Sequence, residues 1–254
     1  NTQGKFIWLT NFFLSTINEK VVDFESQPTP VQIVTSRSVV PVPVLGKPLY
    51  HVFSYAWAGL DPATGDPMGF VDGEPSTEYA SIINEAEADE LVYHGSSRPT
   101  VFGALRNTLN YKGWSLSLNI SYRLGYSIVR PTVNYDNLNR GDISHSDYGL
   151  RWQNPGDELT TAIPSDPESV NNLRTRFHLS SASVVEKGDH VRLQDVRLAY
   201  SFPTLFSTAG KSLEVYGYAN NLGILWKASD RIEDPDYIFN PALTSFSIGL
   251  RMGL

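Results

Sequence analysis

The sequence predicts an all-β chain of about six long antiparallel strands built to cross a membrane, and three observations carry that reading. Between Trp114 and Tyr126 every second side chain is apolar. The same alternation returns from Ser245 to Leu254, the last ten residues of the sequence, with no polar tail behind it. The connections between such segments alternate between very short and very long, the pattern of barrels with short turns at one rim and long loops at the other.

Taken in order, Phe6 to Thr16 reads as the first strand, although it is apolar on both faces in places. Val101 to Tyr111 reads as the second and joins the third through Lys112-Gly113. In the third, Trp114, Leu116, Leu118, Ile120, Tyr122, Leu124 and Tyr126 share one face, and Ser115, Ser117, Asn119, Ser121, Arg123 and Gly125 share the other. A strand shows its two faces alternately. About ten tilted residues span a bilayer, and aromatic girdles belong at its two edges. A long strand of a soluble sandwich also alternates, so the alternative stays open for this segment alone. The fourth strand carries Val196, Leu198, Tyr200 and Phe202, and a turn from Pro203 to Lys211 leads to a weaker fifth from Leu213 to Asn220. The sixth places Phe246, Ile248, Leu250, Met252 and Leu254 on one face. Its final residue is Leu254, where outer-membrane barrels commonly end in an aromatic residue.

The long connections run from about Ile17 to Thr100, Ser127 to Asp189 and Asn221 to Leu243. With the last strand ending at the periplasmic rim, all three fall on the extracellular side. Stretches of that length are uncommon in compact domains unless they are functional, so folded, functional loops are expected. Hydrophobic residues make up 41% of the chain, and no run nears the eighteen apolar residues that a membrane helix needs. Mean hydropathy is −0.22, which a barrel tolerates because only alternate residues of each strand meet lipid. A net charge of −7 argues against a nucleic-acid surface, and zero cysteines exclude disulfides and thiolate chemistry. The sequence begins without Met, a charged n-region or an apolar h-region, so no export signal is expected within it.

No catalytic residue, cofactor site or metal site emerges. Asp61, Asp66, Asp72 and Glu74, and again Asp230, Glu233, Asp234 and Asp236, lie close enough in sequence to suggest Ca2+ ligation in a loop. Asp-Pro, Thr-Gly-Asp-Pro and Asp-Gly are also turn formers, because Pro fixes φ, Gly permits positive φ and Asp caps its own backbone. The turn reading is the simpler one. His51, His94, His145, His178 and His190 show no paired metal spacing and read as solvated loop or strand-end positions.

The loops carry a more specific signal. Tyr55-Ala56-Trp57-Ala58-Gly59-Leu60-Asp61-Pro62-Ala63-Thr64-Gly65-Asp66-Pro67 resembles the AGLDPxTGxP segment of SusC/RagA-type TonB-dependent outer-membrane transporters. In the same order follow Tyr93 to Thr100 with Phe102-Gly103, Arg151 to Glu158, Leu193 to Val196, Asn220-Asn221-Leu222 and Asp234-Pro235-Asp236. The resemblance covers nearly the whole chain. It implies the C-terminal segment, residues 1–254, of a transmembrane β-barrel of roughly 22 strands, with the plug and N-terminal strands lying outside it. It also implies active import of glycans or peptides with a SusD-like surface lipoprotein, energised through TonB by way of the N-terminal region. The location implied is the outer membrane of a Gram-negative, Bacteroidetes-like bacterium. Six strands cannot close, since a barrel needs about eight, so the remaining strands and plug of the same transporter are expected partners alongside outer-membrane lipid.

Within the loops Tyr148, Trp152, Trp226 and Tyr237 are candidate ligand or partner contacts, since flat rings stack on sugars or bury against proteins. Arg151 beside Trp152 is the expected fixed point, because Pro155-Gly156-Asp157 turns the chain just after it. Each ring has a plainer reading as an anchor for its own loop. The alternative function is a soluble secreted β-rich carbohydrate-binding or adhesion module, and neither reading makes the chain an enzyme.

Overall fold

A computed structural model describes residues 6–36, 41–142, 145–202, 212–240 and 242–253. The turn from Pro203 to Lys211 and the terminal Leu254 lie outside the described residues. The chain divides into two compact units. Among the described residues no helix is long and apolar enough to cross a membrane, which says nothing of a β-barrel.

The first unit comprises Asn1–Ile17, Pro99–Gly125 and Gly188–Leu254. It is one antiparallel sheet of six strands: β1 (Ile7–Thr16), β2 (Val101–Tyr111), β3 (Trp114–Leu124), β4 (His190–Phe202), β5 (Ser212–Lys227) and β6 (Ser245–Gly253). They pair in chain order, as the sequence predicts. Lys112 and Gly113 both take positive φ, the two-residue turn whose twist suits a hairpin.

Register converts the alternation into two continuous faces. Leu109, Leu116 and Leu198 form one apolar row and Leu105, Ile120 and Leu193 another. On the opposite face Arg106, Asn119 and Asp195 line up, as do Thr108, Ser117 and Arg197. Asp195 accepts from Asn119 at 2.8 Å and from Arg106 at 3.3 Å, and Arg197 pairs with Glu214. The polar side is buried at Ser117, Arg192 and Asp195, which are 8%, 2% and 4% exposed, whereas Ile248 on the apolar side is 88% exposed. Aromatics stand at both ends of the apolar face. Trp114 and Tyr200 are 4.8 Å apart near the short turn, and Phe12 stacks on Tyr122 at 6.1 Å near the long connections. The Tyr122 hydroxyl crosses β2 to donate to the Phe13 carbonyl at 2.7 Å. That crossing needs Gly103, where a Cβ would come within 1.9 Å of the same carbonyl oxygen. β1 keeps Ile7, Leu9 and Phe13 on the face that is polar elsewhere, so its apolar character on both sides is real.

Three boundaries depart from the sequence reading. β3 ends at Leu124 because Gly125 turns out with φ 77, and Tyr126 is buried at 5% in the second unit instead of continuing the outward row. β4 begins at His190, since a bulge between Leu193 and Asp195 shifts the phase and hides its first residues. β5 continues past Asn220 to Lys227 because Asn221 (φ 54) and Gly223 (φ 125) break the period without ending the strand.

The second unit comprises Asn18–Arg98 and Tyr126–Lys187, so the two longest connections are folded, as expected of them. It contains helices α1 (Pro30–Thr35), α2 (Tyr79–Asn84), α3 (Tyr135–Asn139) and α4 (Asn172–Leu179). Thr29 and Gln32 form a reciprocal capping box around Pro30, Asn134 caps α3, and Asn171 caps α4 by accepting from the Arg174 amide at 3.0 Å. Short strand pairs join His51–Ser54 to Val92–Ser96 and Ser127–Val129 to Val185–Lys187. Phe177 and Ile83 sit at the centre of a core completed by Ile33, Val34, Phe53 and Ile82. His51 and His178 are buried here, as His190 is in the sheet unit, which corrects their reading as solvated positions. Burial leaves both ring nitrogens of His178 without partners and pushes its pKa down to about 3, helped by the charges of Arg130 and Arg174.

Candidate functional site

Two of the sequence motifs, Tyr55 to Pro67 and Arg151 to Glu158, meet in the second unit. In the first, the Asp61 carboxylate accepts from the backbone of Ala63 at 2.7 Å and Thr64 at 3.1 Å, the local turn that Asp-Pro encodes. Gly65 follows with φ 70 and lies flat against the Trp152 ring, where a Cβ would come within 2.4 Å of the indole. In the second, Asp157 accepts from the amides of Gln153 and Asn154 at 2.9 Å, and these two donors hold its pKa below the usual carboxylate range. The Trp152 indole donates to Glu158 at 3.0 Å. Each motif is thus a self-bonded turn, and the contact of Gly65 with Trp152 joins them.

Between them lies an open cavity of about 840 Å³. Its deepest polar group is Arg174, which donates to Asp66 at 2.6 Å and to the Ser165 carbonyl at 2.9 Å. Tyr79 stands beside this pair, its hydroxyl buried without a hydrogen bond of normal geometry. Burial and the neighbouring Asp66 charge raise the Tyr79 pKa, against the pull of Arg174. Arg151, Gln153, Asp166 and Asn171 complete the rim. The lining offers donors, acceptors and two aromatic rings, with its central charges already paired: a surface for orienting a polar ligand. Among the described residues no group of three or more His, Asp or Glu side chains is arranged to hold a metal ion.

A second polar cluster belongs to the sheet unit. Arg192 pairs with Asp234, donates to Asn221 at 2.7 Å and approaches Asp236 at 3.6 Å. His190 lies 3.2 Å from Asp236, which also pairs with Arg123. Burial alone would raise the Asp236 carboxyl, but the His190 hydrogen bond and the charges of His190, Arg123 and Arg192 hold it below the usual range. The Asn221 amide reaches the Ala242 carbonyl at 2.7 Å, so the middle and the far end of the third connection are tied to the sheet. The carboxylates of 230–236 that suggested a cation site are thus partly committed to arginines.

Of the sequence candidates, Arg151 and Trp152 line the cavity. Trp152 is buried as the seal over Gly65. Tyr148 stands beside them, stacked under Arg151 at 4.1 Å and donating to Asp166 at 2.7 Å. Tyr237 faces Arg192 at 5.6 Å in the sheet unit. Trp226 does not lie in a connection: it is within β5, opposite Val191 on the apolar face. Sequence reasoning missed Tyr79 and Arg174. Asp66 was visible in its motif, but nothing in the spacing linked it to an arginine 108 residues away.

No family model matches the chain. Over 153 residues it is 29% identical to TonB-dependent receptor P26 of Formosa agariphila, a match covering 58% of this chain and 14% of the receptor. Among solved structures it is similar to the RagAB peptide transporter, with a TM-score of 0.57 and 19% identity over 80% of this chain and 22% of that one. The RagAB peptide importer in its open-open state aligns over 100% of this chain and 27% of that chain, at a TM-score of 0.61 and 18% identity. Its closed-closed state gives the same TM-score at 16% identity, over 100% and 28%. The chain therefore spans a seventh to a quarter of the length of the proteins it matches. The SusC/RagA-type resemblance read from the loop motifs holds, and the six strands have the fold of a stretch of that barrel.

Proposed function

We propose that the chain is the C-terminal segment of an outer-membrane active transporter that imports glycans or peptides with a SusD-like surface lipoprotein, energised through TonB. The observation that carries this reading is the polarity of the sheet. Its polar face is hydrogen-bonded across β2, β3 and β4 and buried at Ser117, Arg192 and Asp195, while its apolar face carries bare side chains, the arrangement of a wall between lipid and a polar lumen. The open edges of β1 and β6 then pair with the remaining strands, because unpaired backbone groups in lipid cost several kcal/mol each. No residue is assigned a catalytic role, and the reading is of a transporter and not an enzyme. A Gram-negative outer membrane of Bacteroidetes type is the setting, which the likeness to the Formosa receptor supports.

Exposed apolar side chains on the second connection support a protein partner at the loops: Leu150, Leu159 and Val170 are 66%, 85% and 59% exposed. Replacing all three by Ser in the full-length protein should leave heat-modifiable mobility unchanged while reducing both copurified lipoprotein and uptake. Undiminished lid binding and uptake would remove these residues from the interface. Collapse of the proton-motive force should stop uptake; continued uptake would indicate a passive pore. A soluble β-rich binding module would stay monomeric in buffer without detergent, an outcome that would sink the membrane reading outright.

A further inference from the structure

Two histidines, each 1% exposed, are buried on opposite terms. His178, in the loop unit, has no hydrogen-bond partner at either ring nitrogen. His190, the first residue of β4, has one at each: Nδ1 lies 2.9 Å from the Gly188 carbonyl oxygen and Nε2 lies 3.2 Å from Oδ2 of Asp236. Carbonyl and carboxylate oxygens only accept, and a neutral imidazole has a single N–H to give. Both bonds are therefore made together only by the imidazolium. The neutral ring keeps one of them and turns a lone pair towards the other acceptor, which loses a bond and adds repulsion. Asp236 does not supply the second proton itself, because it is held as a carboxylate by pairing with Arg123 and by Arg192 at 3.6 Å. The other charged groups around the ring are committed. Arg123 on β3 and Lys227 on β5 stand opposite His190 in register, the first bound to Asp236 and the second donating to the Ile232 carbonyl at 2.5 Å. Arg192 on β4 pairs with Asp234 and faces Tyr237, and Asp189 accepts from the Gly125 amide at 2.8 Å.

We propose that protonated His190 fastens the third connection to the sheet, and that loss of this proton lets the connection go. Of the two bonds that the ring makes, the one to Gly188 stays within the lead-in to β4, whereas the one to Asp236 reaches the connection. The catch is therefore the Nε2 bond, and it needs the proton. The fastened state holds a proton that the loose state releases, so fastening is favoured at low pH and lost as pH rises. That sign is opposite to the one His178 imposes on the loop unit, where the buried ring is neutral and acid is the destabilising condition. The arginine ties to Asp234 and Asp236 keep their charges through the range in which histidine titrates. They set how firmly the connection is held but give it no slope with pH. All of these groups belong to the sheet unit, so the inference is independent of what the barrel imports.

The test is spin-label mobility in the connection, read in the full-length protein in detergent. Residues 1–254 contain no cysteine, and Phe239, within the connection, is 82% exposed, so Phe239→Cys carries a nitroxide without disturbing the ring. With any cysteine elsewhere in the protein replaced, the ratio of mobile to immobile label should rise between about pH 5 and about pH 9, by up to about tenfold per pH unit, the limit for one linked proton. His190→Gln keeps a donor of similar reach but has no proton to lose, and should make the ratio independent of pH. Asp236→Asn retains the histidine and offers the neutral ring an amide donor for Nε2, so it too should abolish the slope. A histidine with a merely structural role would raise mobility at every pH on substitution and leave the slope as it was. Heat-modifiable mobility establishes that each variant has assembled, and if one fails to assemble the other decides alone. A ratio that does not change with pH in the parent protein, one that falls as pH rises, or a slope that survives in an assembled variant would each overturn the proposal.

Discussion

In the sheet of β1 to β6, the most exposed side chains include Phe246, Ile248 and Leu250, and the buried ones include Arg192, His190 and Asp195. In the loop unit the order is reversed: Phe177, Ile83 and Val133 are sealed, and charged side chains ring the cavity. One chain therefore obeys two solvents. Where both solvents are water, apolar burial drives packing. Where one face meets hydrocarbon, nothing is gained by hiding leucine, and stability rests on satisfying the backbone and the polar face. The third connection, Ala228 to Thr244, follows the sheet's logic in part, since arginine and carboxylate hold it to the strands.

The contrast is easiest to break in the loop unit. Phe177→Ala removes a fully buried ring and should destabilise that unit by about 3–5 kcal/mol, measured by denaturant-dependent proteolysis of the loops in the full-length protein. Phe246→Ala, on the bare face, should change the same measurement little; similar losses at both positions would abolish the distinction. Arg192→Ala removes the ion-pair partner of Asp234, while Asp236 keeps Arg123 and His190, and should cost about 3–5 kcal/mol, appearing as new cleavage within 228–244 while the cleavage pattern of the other loops is preserved. Unchanged protection there would mean that the salt bridges do not hold the third connection.

Leu118→Arg, mid-strand on the apolar face, should cost about 2–4 kcal/mol of barrel stability in lipid. The control belongs on the opposite face at a position with room. Ser117 is not one, because it is 8% exposed, accepts a hydrogen bond from Thr108 and stands opposite Arg197. Ser247, exposed and opposite Tyr218, is the better choice, and Ser247→Arg should cost much less. Equal costs would invert or erase the two faces.

At neutral pH the smallest effect expected is that of His178 in the loop unit, which emerges only as pH falls. The folded chain keeps His178 neutral down to about pH 3, while the unfolded chain takes up a proton near the ordinary value of 6.5. The unfolded state thus binds more protons between those values, so this contribution to stability is whole above about pH 6.5 and is lost progressively as pH falls towards 3. His178→Phe should flatten the stability of the loop unit across that window. A slope unchanged by the substitution would assign the acid sensitivity to the paired carboxylates, among them Asp147, which Thr132 and Arg130 hold below the usual range against its burial.

By itself the sequence determined the six strands of the large sheet and their order, the face of each residue in β3 and β6, and the turn character of both loop motifs, but not the short strand pairs of the loop unit. These follow from local rules: period two, two-residue turns, and Asp, Pro and Gly acting on their own backbone. What only the tertiary structure decided is where phase slips and where distant groups meet. The bulge at Gln194 and the left-handed Asn221 shifted the alternation, so residues 190–195 and 221–227 did not read as strand and Trp226 was misplaced into a connection. Arg174 meets Asp66, Trp152 covers Gly65, and Arg192 reaches Asp234 across tens of residues of chain. Such pairings are selected by complementary charge and shape once the chain has collapsed, and a periodicity read along the backbone has no term for them.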